Sequence, residues 1–250
     1  MEEKRRFAVL LCAEDPEYVK ETYGGYFGVF QNLLAEDGEA WDLYRVAEGD
    51  FPPDGLLGLY DGFVVSGSSN DAHGDDEWIR RLLGLLRVLD SMHKKVLGVS
   101  PHQLKSMSWL CPPILSRALG GKTGRATRGW DIGLTSINLS LSKFHPNPLF
   151  VVECHRDEVL ELPPKAKVIG WSEKTGIEAF RYEDHMMGIQ GHPEYTKDIL
   201  LYLIDRLTHC KLISISHAEV AKARLEEEEP DREAWKMVCR NFLKEKSSKL

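Results

Sequence analysis

YDGFVVSGSSNDAHGDDEWIRRLLGLLRVLDSMHKKVLGVS, residues 60–100, sets a long amphipathic segment between two short apolar runs. YDGFVVSGSS (60–69) reads as a buried strand running into a glycine- and serine-rich turn, and KKVLGVS (94–100) as another buried strand. Between them, EWIRRLLGLLRVLDSMHK (77–94) has helical periodicity. A strand, a helix of this length and a second strand imply a right-handed parallel crossover, the unit of an open doubly wound sheet.

Upstream, FAVLLCA (7–13) is a further buried parallel strand, ended by Glu14, Asp15 and Pro16. YGGYFGVFQNLLAEDG (23–38) predicts a helix closed by Gly38, and WDLYRV (41–46) alternates. The middle of the chain differs. PLFVVEC (148–154), AKVIGWS (166–172), IEAFRY (177–182) and MMGIQGH (186–192) are separated by short polar turns, which fits antiparallel or mixed strands. HPEYTKDILLYLIDRLTH (192–209) predicts an amphipathic helix with Pro193 near its first turn, where a missing N–H costs little. Two more helices, over 217–229 and 231–245, break at Pro230 and predict a carboxy-terminal pair within about 215–246. With no repeat or clear linker, one domain spanning 1–250 is the expectation.

The 250 residues are 42% hydrophobic, enough for a sizeable core. A formal charge of −7 without basic runs argues against a nucleic-acid or anionic-membrane surface. No apolar run reaches the ~18–20 residues that span a bilayer, and a cytosolic protein is expected. The oligomeric state is not readable. Cys12, Cys111, Cys154, Cys210 and Cys239 form no CxxC pair, so neither a disulfide framework nor a metal site is indicated.

Ligands of open α/β sheets bind beyond the carboxyl ends of the strands, where strand order reverses. Three stretches qualify. In VVSGSSNDAHGDDEW (64–78), Gly67 and Ser68 follow a strand, and a glycine there lets backbone N–H groups face a ligand as an oxyanion hole requires. In GIQGHPEY (188–195), His192 and Glu194 flank Pro193; a histidine acting as general base needs an acceptor to fix its tautomer, and a nearby carboxylate supplies one. The plainer alternative makes His192 a surface residue and Glu194 a helix-start residue. In ECHRDEVLELP (153–163), Cys154 and His155 point to opposite strand faces, which makes Cys154 core and lets His155 and Asp157 share a site.

These stretches, together with FAVLLCAEDPEYVKETYGGYFGVF, ILSRALGGKTGRATRG and PDREAWKMVCRNFLK, resemble the class I glutamine amidotransferase superfamily, and more closely the plant γ-glutamyl peptidases that process glutathione conjugates. The resemblance implies a flavodoxin-like open sheet with a mixed or antiparallel extension and carboxy-terminal helices. It implies a Cys-His-Glu triad, with His192 as base, Glu194 as orienter, Gly67 in the oxyanion-hole turn and His155 and Asp157 lining the substrate site. A thiolate would attack a γ-glutamyl amide and form a thioester, with no metal or redox cofactor.

One segment departs from that family. Where its members read roughly Gly-Ile-Cys-x-Gly-His-Gln, this chain has VSPHQLKSMSWLCPP (99–113). Ser100 occupies the cysteine's place counted from the strand, but a hydroxyl is less nucleophilic than a thiolate and Pro101 removes an oxyanion-hole N–H. Cys111 lies near the place counted back from the following helix, but Pro112 and Pro113 oppose the tight turn of a nucleophile elbow. In the third reading neither serves, an altered splice or gene model having replaced the elbow between intact flanks. The alternative functions are a non-catalytic protein that binds a γ-glutamyl ligand or a protein partner, and a glutaminase subunit feeding ammonia to a synthetase.

Overall fold

A computed structural model of the chain describes residues 4–67, 76–99, 113–140 and 148–245. In chain order its strands are β1 (Arg6–Leu10), β2 (Ala40–Tyr44), β3 (Gly62–Ser66), β4 (Lys95–Val99), β5 (Lys122–Arg125), β6 (Asp131–Leu139), β7 (Leu149–His155), β8 (Asp157–Glu161), β9 (Ala166–Ser172), β10 (Gly176–Tyr182) and β11 (Met186–Ile189). Its helices are α1 (Glu17–Tyr23), α2 (Gly25–Leu34), α3 (Glu77–Ser91), α4 (Pro113–Ala118), α5 (Lys197–His209), α6 (Ile215–Glu227) and α7 (Arg232–Lys244).

The main sheet runs β2-β1-β3-β4-β11-β10-β9-β6-β7. Its first five strands are parallel, and the remaining neighbours are antiparallel. The chain passes outward from β1 to β2 and returns on the other side to β3, so strand order reverses between β1 and β3. Apolar runs become central strands because both faces are covered. Ala8 and Leu10 pack with Leu82 and Leu86 of α3, while Phe7 and Val9 pack with Phe30 of α2 and Trp235 and Phe242 of α7. A third core joins α5 and α6 to Ile132, Leu134, Val152 and Cys154 of β6 and β7.

The sequence expectation of a parallel sheet with an antiparallel extension holds, and four details change. Gly24 and Gly25 adopt left-handed φ of 74° and 83°, which separates α1 from α2 at the start of the predicted 23–38 helix, and α2 ends at Leu34, where Ala35 turns to extended backbone. Helix α5 starts at Lys197, so Pro193 lies ahead of it in a turn where the Tyr195 N–H donates to the His192 carbonyl at 3.2 Å. The last two helices do not form a pair: α6 packs on α5 and β6, whereas α7 lies against the face formed by Phe7, Val9 and Val64. Strand β6 and the two-stranded ribbon of β5 and β8 were not anticipated. Among the described residues no helix is long and apolar enough to cross a membrane.

Candidate active site

Strands β3, β4 and β11 end level with one another, Ser66 pairing with Val99 and Val99 with Ile189. Gly67, the residue after β3, is buried. The Ser66 hydroxyl accepts the Cys12 N–H at 2.7 Å and donates to the Gly67 carbonyl at 3.1 Å, tying the end of β3 to the end of β1. This is the switch point at which the fold accepts ligands.

His192 lies three residues beyond β11. Its N–H donates to the Val152 carbonyl at 2.7 Å, so backbone pairing with β7 fixes where the imidazole begins. The turn through Pro193 then carries Glu194 back toward the ring: His192 Nδ1 is 3.0 Å from Glu194 Oε1. Tyr195 stacks on the imidazole at 4.1 Å between centroids and 6° between planes. His192 and Glu194 are both buried, which overturns the surface alternative for this pair.

Burial holds the His192 imidazole well below its ordinary pKa range, and nearby His155 pushes the same way. Burial raises the Glu194 carboxyl well above its usual value. A neutral imidazole that donates its Nδ1–H to the Glu194 carboxylate presents a lone pair at Nε2, and Nε2 is buried without a hydrogen-bond partner among the described residues. That is the arrangement a general base requires.

His155 ends β7, with Nε2 3.1 Å from Glu153 Oε2. Asp157, at the start of β8, is buried with its carboxylate engaged. That group pairs with Arg125 at 3.1 Å, and Asp157 meets the site through its carbonyl, which accepts the Gln190 side-chain N–H at 3.0 Å. Cys154 packs in the core, as strand alternation predicts.

Sequence reasoning missed Glu153, Glu178 and Gln190, all buried around His155. Glu153 was legible, because it precedes His155 by two residues and so shares its strand face. Glu178 is a lone acid among inward positions of β10. Glu153, His155 and Glu178 bring one ligand-type atom each within 4.8 Å of one another. Burial raises Glu153 well above the ordinary carboxyl range and pushes Glu178 up to about 8. Gly191 belongs to the same construction: a β-carbon on it would lie 2.4 Å from Glu153 Oε1.

Ser68, Ser100 and Cys111 lie outside the described residues. Among the described cysteines, Cys12, Cys154 and Cys239 are buried with their thiols pushed up by desolvation, and Cys210 is exposed just after α5, at the end remote from His192. None of them is a thiolate beside the base.

The fold and this buried pair define a protein of glutamine amidotransferase type. The family model "Glutamine amidotransferase class-I" matches residues 113–199, which hold both His192 and Glu194. The crystal structure of a glutamine amidotransferase from Thermotoga maritima superposes with a TM-score of 0.71 at 19% identity, covering 97% of each chain. One from Methylobacillus flagellatus gives 0.61 at 20% identity, over 83% of this chain and 75% of the other. Within that class the chain belongs to the γ-glutamyl peptidase family. It is 48% identical to gamma-glutamyl peptidase 5 of Arabidopsis thaliana over 258 aligned residues, 99% of each chain, and 45% identical to gamma-glutamyl peptidase 3 of the same plant, 98% of each.

Proposed function

We propose that the chain hydrolyses the γ-glutamyl amide bond of small peptides and glutathione conjugates, slowly, with His192 as general base, Glu194 as its orienter and a nucleophile drawn from residues 100–112. The observation that carries this reading is the buried His192–Glu194 pair, 3.0 Å apart, with Nε2 free of any described partner. In the first step Nε2 takes the proton of the attacking thiol or hydroxyl while the new bond forms at the γ-carbonyl carbon. In this reading the segment that begins at Gly67 supplies the N–H groups that stabilise the resulting oxyanion. Collapse expels the amine, which leaves with the proton held on His192, and water then cleaves the acyl-enzyme with His192 again as base. His155 and Asp157 line the γ-glutamyl side of the site in this reading.

Slow turnover follows from the replaced elbow: prolines 101, 112 and 113 flank both available nucleophiles, Ser100 and Cys111. The same replacement favours a second reading, in which the chain binds a γ-glutamyl ligand and does not turn it over. Incubating the purified chain with a γ-glutamyl dipeptide and quantifying the released amino acid separates the two. Slow release that disappears in His192→Ala supports the hydrolase; binding of the dipeptide with no release supports the second reading. Release that survives His192→Ala removes His192 from the mechanism.

A further inference from the structure

At the opposite end of the sheet, three side chains from distant parts of the sequence converge. His93 follows α3 just before β4, and Glu183 and His185 form the turn between β10 and β11. Each offers one ligand atom, and those atoms lie within 4.8 Å of one another. Because β4 and β11 are adjacent and parallel, their amino-terminal ends bring the two loops together, and the Val96 N–H donates to the His185 carbonyl at 2.8 Å.

The hydrogen bonding around His185 says what is missing. Its Nε2 lies 2.8 Å from Asp90 Oδ1, and since a carboxylate only accepts, Nε2 carries the proton. In the neutral imidazole Nδ1 is then a lone pair, the place where a metal ion or a second proton settles. It is buried and has no hydrogen-bond partner among the described residues, and its neighbours are two more acceptors, Asp184 Oδ1 at 3.5 Å and Glu183 Oε2 at 3.9 Å. Lys165 holds the other Glu183 oxygen, Oε1, at 2.7 Å, which leaves Oε2 turned toward the imidazole. Acceptors that converge without a donor between them are the environment a cation resolves.

We propose that His93, His185 Nδ1 and Glu183 Oε2 bind a divalent transition-metal ion of zinc type, with Asp90 fixing the tautomer of His185. Two imidazoles and a carboxylate suit zinc, with bonds of about 2.0–2.2 Å. A ligating histidine that donates its other ring N–H to a carboxylate is the usual outer arrangement of such sites. Closing the present spacing falls to His93 and Glu183, both exposed. The site is independent of the proposed hydrolysis, which takes place at the other end of the same strands.

The test uses the full chain with its accessible thiols alkylated, stripped with chelator and titrated with Zn²⁺ by calorimetry and with Co²⁺ by visible absorption. The expected result is one ion per chain, a cobalt spectrum of tetrahedral type without thiolate charge-transfer bands, and affinity lowered at least tenfold in both His93→Ala and Glu183→Gln. Asp90→Asn, which cannot hold the tautomer as a charged acceptor, lowers affinity by about 10–100-fold. No binding, or binding unchanged in His93→Ala and Glu183→Gln, overturns the proposal.

Discussion

Replacing Gly191 with alanine adds one methyl group at the centre of the proposed site, and the structure states what it meets. The new β-carbon would sit 2.4 Å from Glu153 Oε1 and 2.7 Å from Val151 Cγ1, both far inside van der Waals contact. An exposed carboxylate would swing aside, but Glu153 is fully buried and Val151 nearly so, within a packed interior. Overpacking of this kind costs about 1–3 kcal/mol. At about 2–4 °C per kcal/mol for a chain of this size, the thermal midpoint falls by roughly 2–12 °C. Urea unfolding of wild type, Gly191→Ala, Glu153→Ala and the double variant measures the effect and assigns its cause. Because Glu153→Ala removes the clashing oxygen, the double variant is more stable than the two single losses sum to, by at least about 0.5 kcal/mol. A Gly191→Ala loss within about 0.5 kcal/mol of zero, the range of an ordinary surface change, or strict additivity with Glu153→Ala, refutes the close approach on which the site's construction rests.

Ser66→Ala leaves the buried Cys12 N–H without its acceptor and costs about 1–3 kcal/mol in chemical denaturation; a neutral result means that the ends of β1 and β3 are not tied there. Glu178, raised from 4.5 to about 8 by burial, binds its proton more tightly folded than unfolded. The stability it contributes is complete below pH 4.5 and is lost as pH rises toward 8. Glu178→Gln, which cannot titrate, therefore gains on wild type as pH rises through that window, and parallel stability-against-pH curves contradict the assignment. For the proposed hydrolysis, a depressed His192 keeps the base neutral on the acid side, so kcat/KM retains its value below the ordinary histidine range of about 6.5; an acid limb centred at or above that value shows His192 to be solvated in the working enzyme.

Much of this was legible in the sequence, for identifiable reasons. FAVLLCA, YDGFVVSGSS and KKVLGVS announce buried parallel strands because a doubly covered strand has no polar face to alternate. AKVIGWS and IEAFRY announced their strands almost to the residue. DIGLTSINL did not, because β6 mixes Asp131, Thr135, Ser136 and Asn138 into a strand whose burial comes from helix α6 and β7 rather than from composition. The C-terminal helices were found, but their packing was not: nothing local to Pro230 tells that the Asp231 N–H will donate to Phe150 and direct α7 onto the sheet. His192 and Glu194 were legible as a pair from their spacing around Pro193. The Arg125 partner of the Asp157 carboxylate was not legible, because strand alternation fixes a face and not a partner, and Arg125 sits opposite Asp157 only once β5 and β8 pair. Glu178 and Gln190 join the site only through pairing between β10 and the segment after β11, where the Gln190 N–H donates to the Glu178 carbonyl at 2.6 Å.

The account's central claim is that this chain keeps a working base, His192 oriented by Glu194, and recruits its nucleophile from residues 100–112. Covalent trapping tests it most directly. The purified chain and its His192→Ala variant are treated with a γ-glutamyl-like electrophile, digested, and the labelled peptide is sequenced by mass spectrometry. The account predicts one label per chain on Ser100 or Cys111, formed in the wild type and lost in His192→Ala. Labelling confined to Cys210, labelling indifferent to His192, or no labelling under conditions where the reagent binds would contradict it.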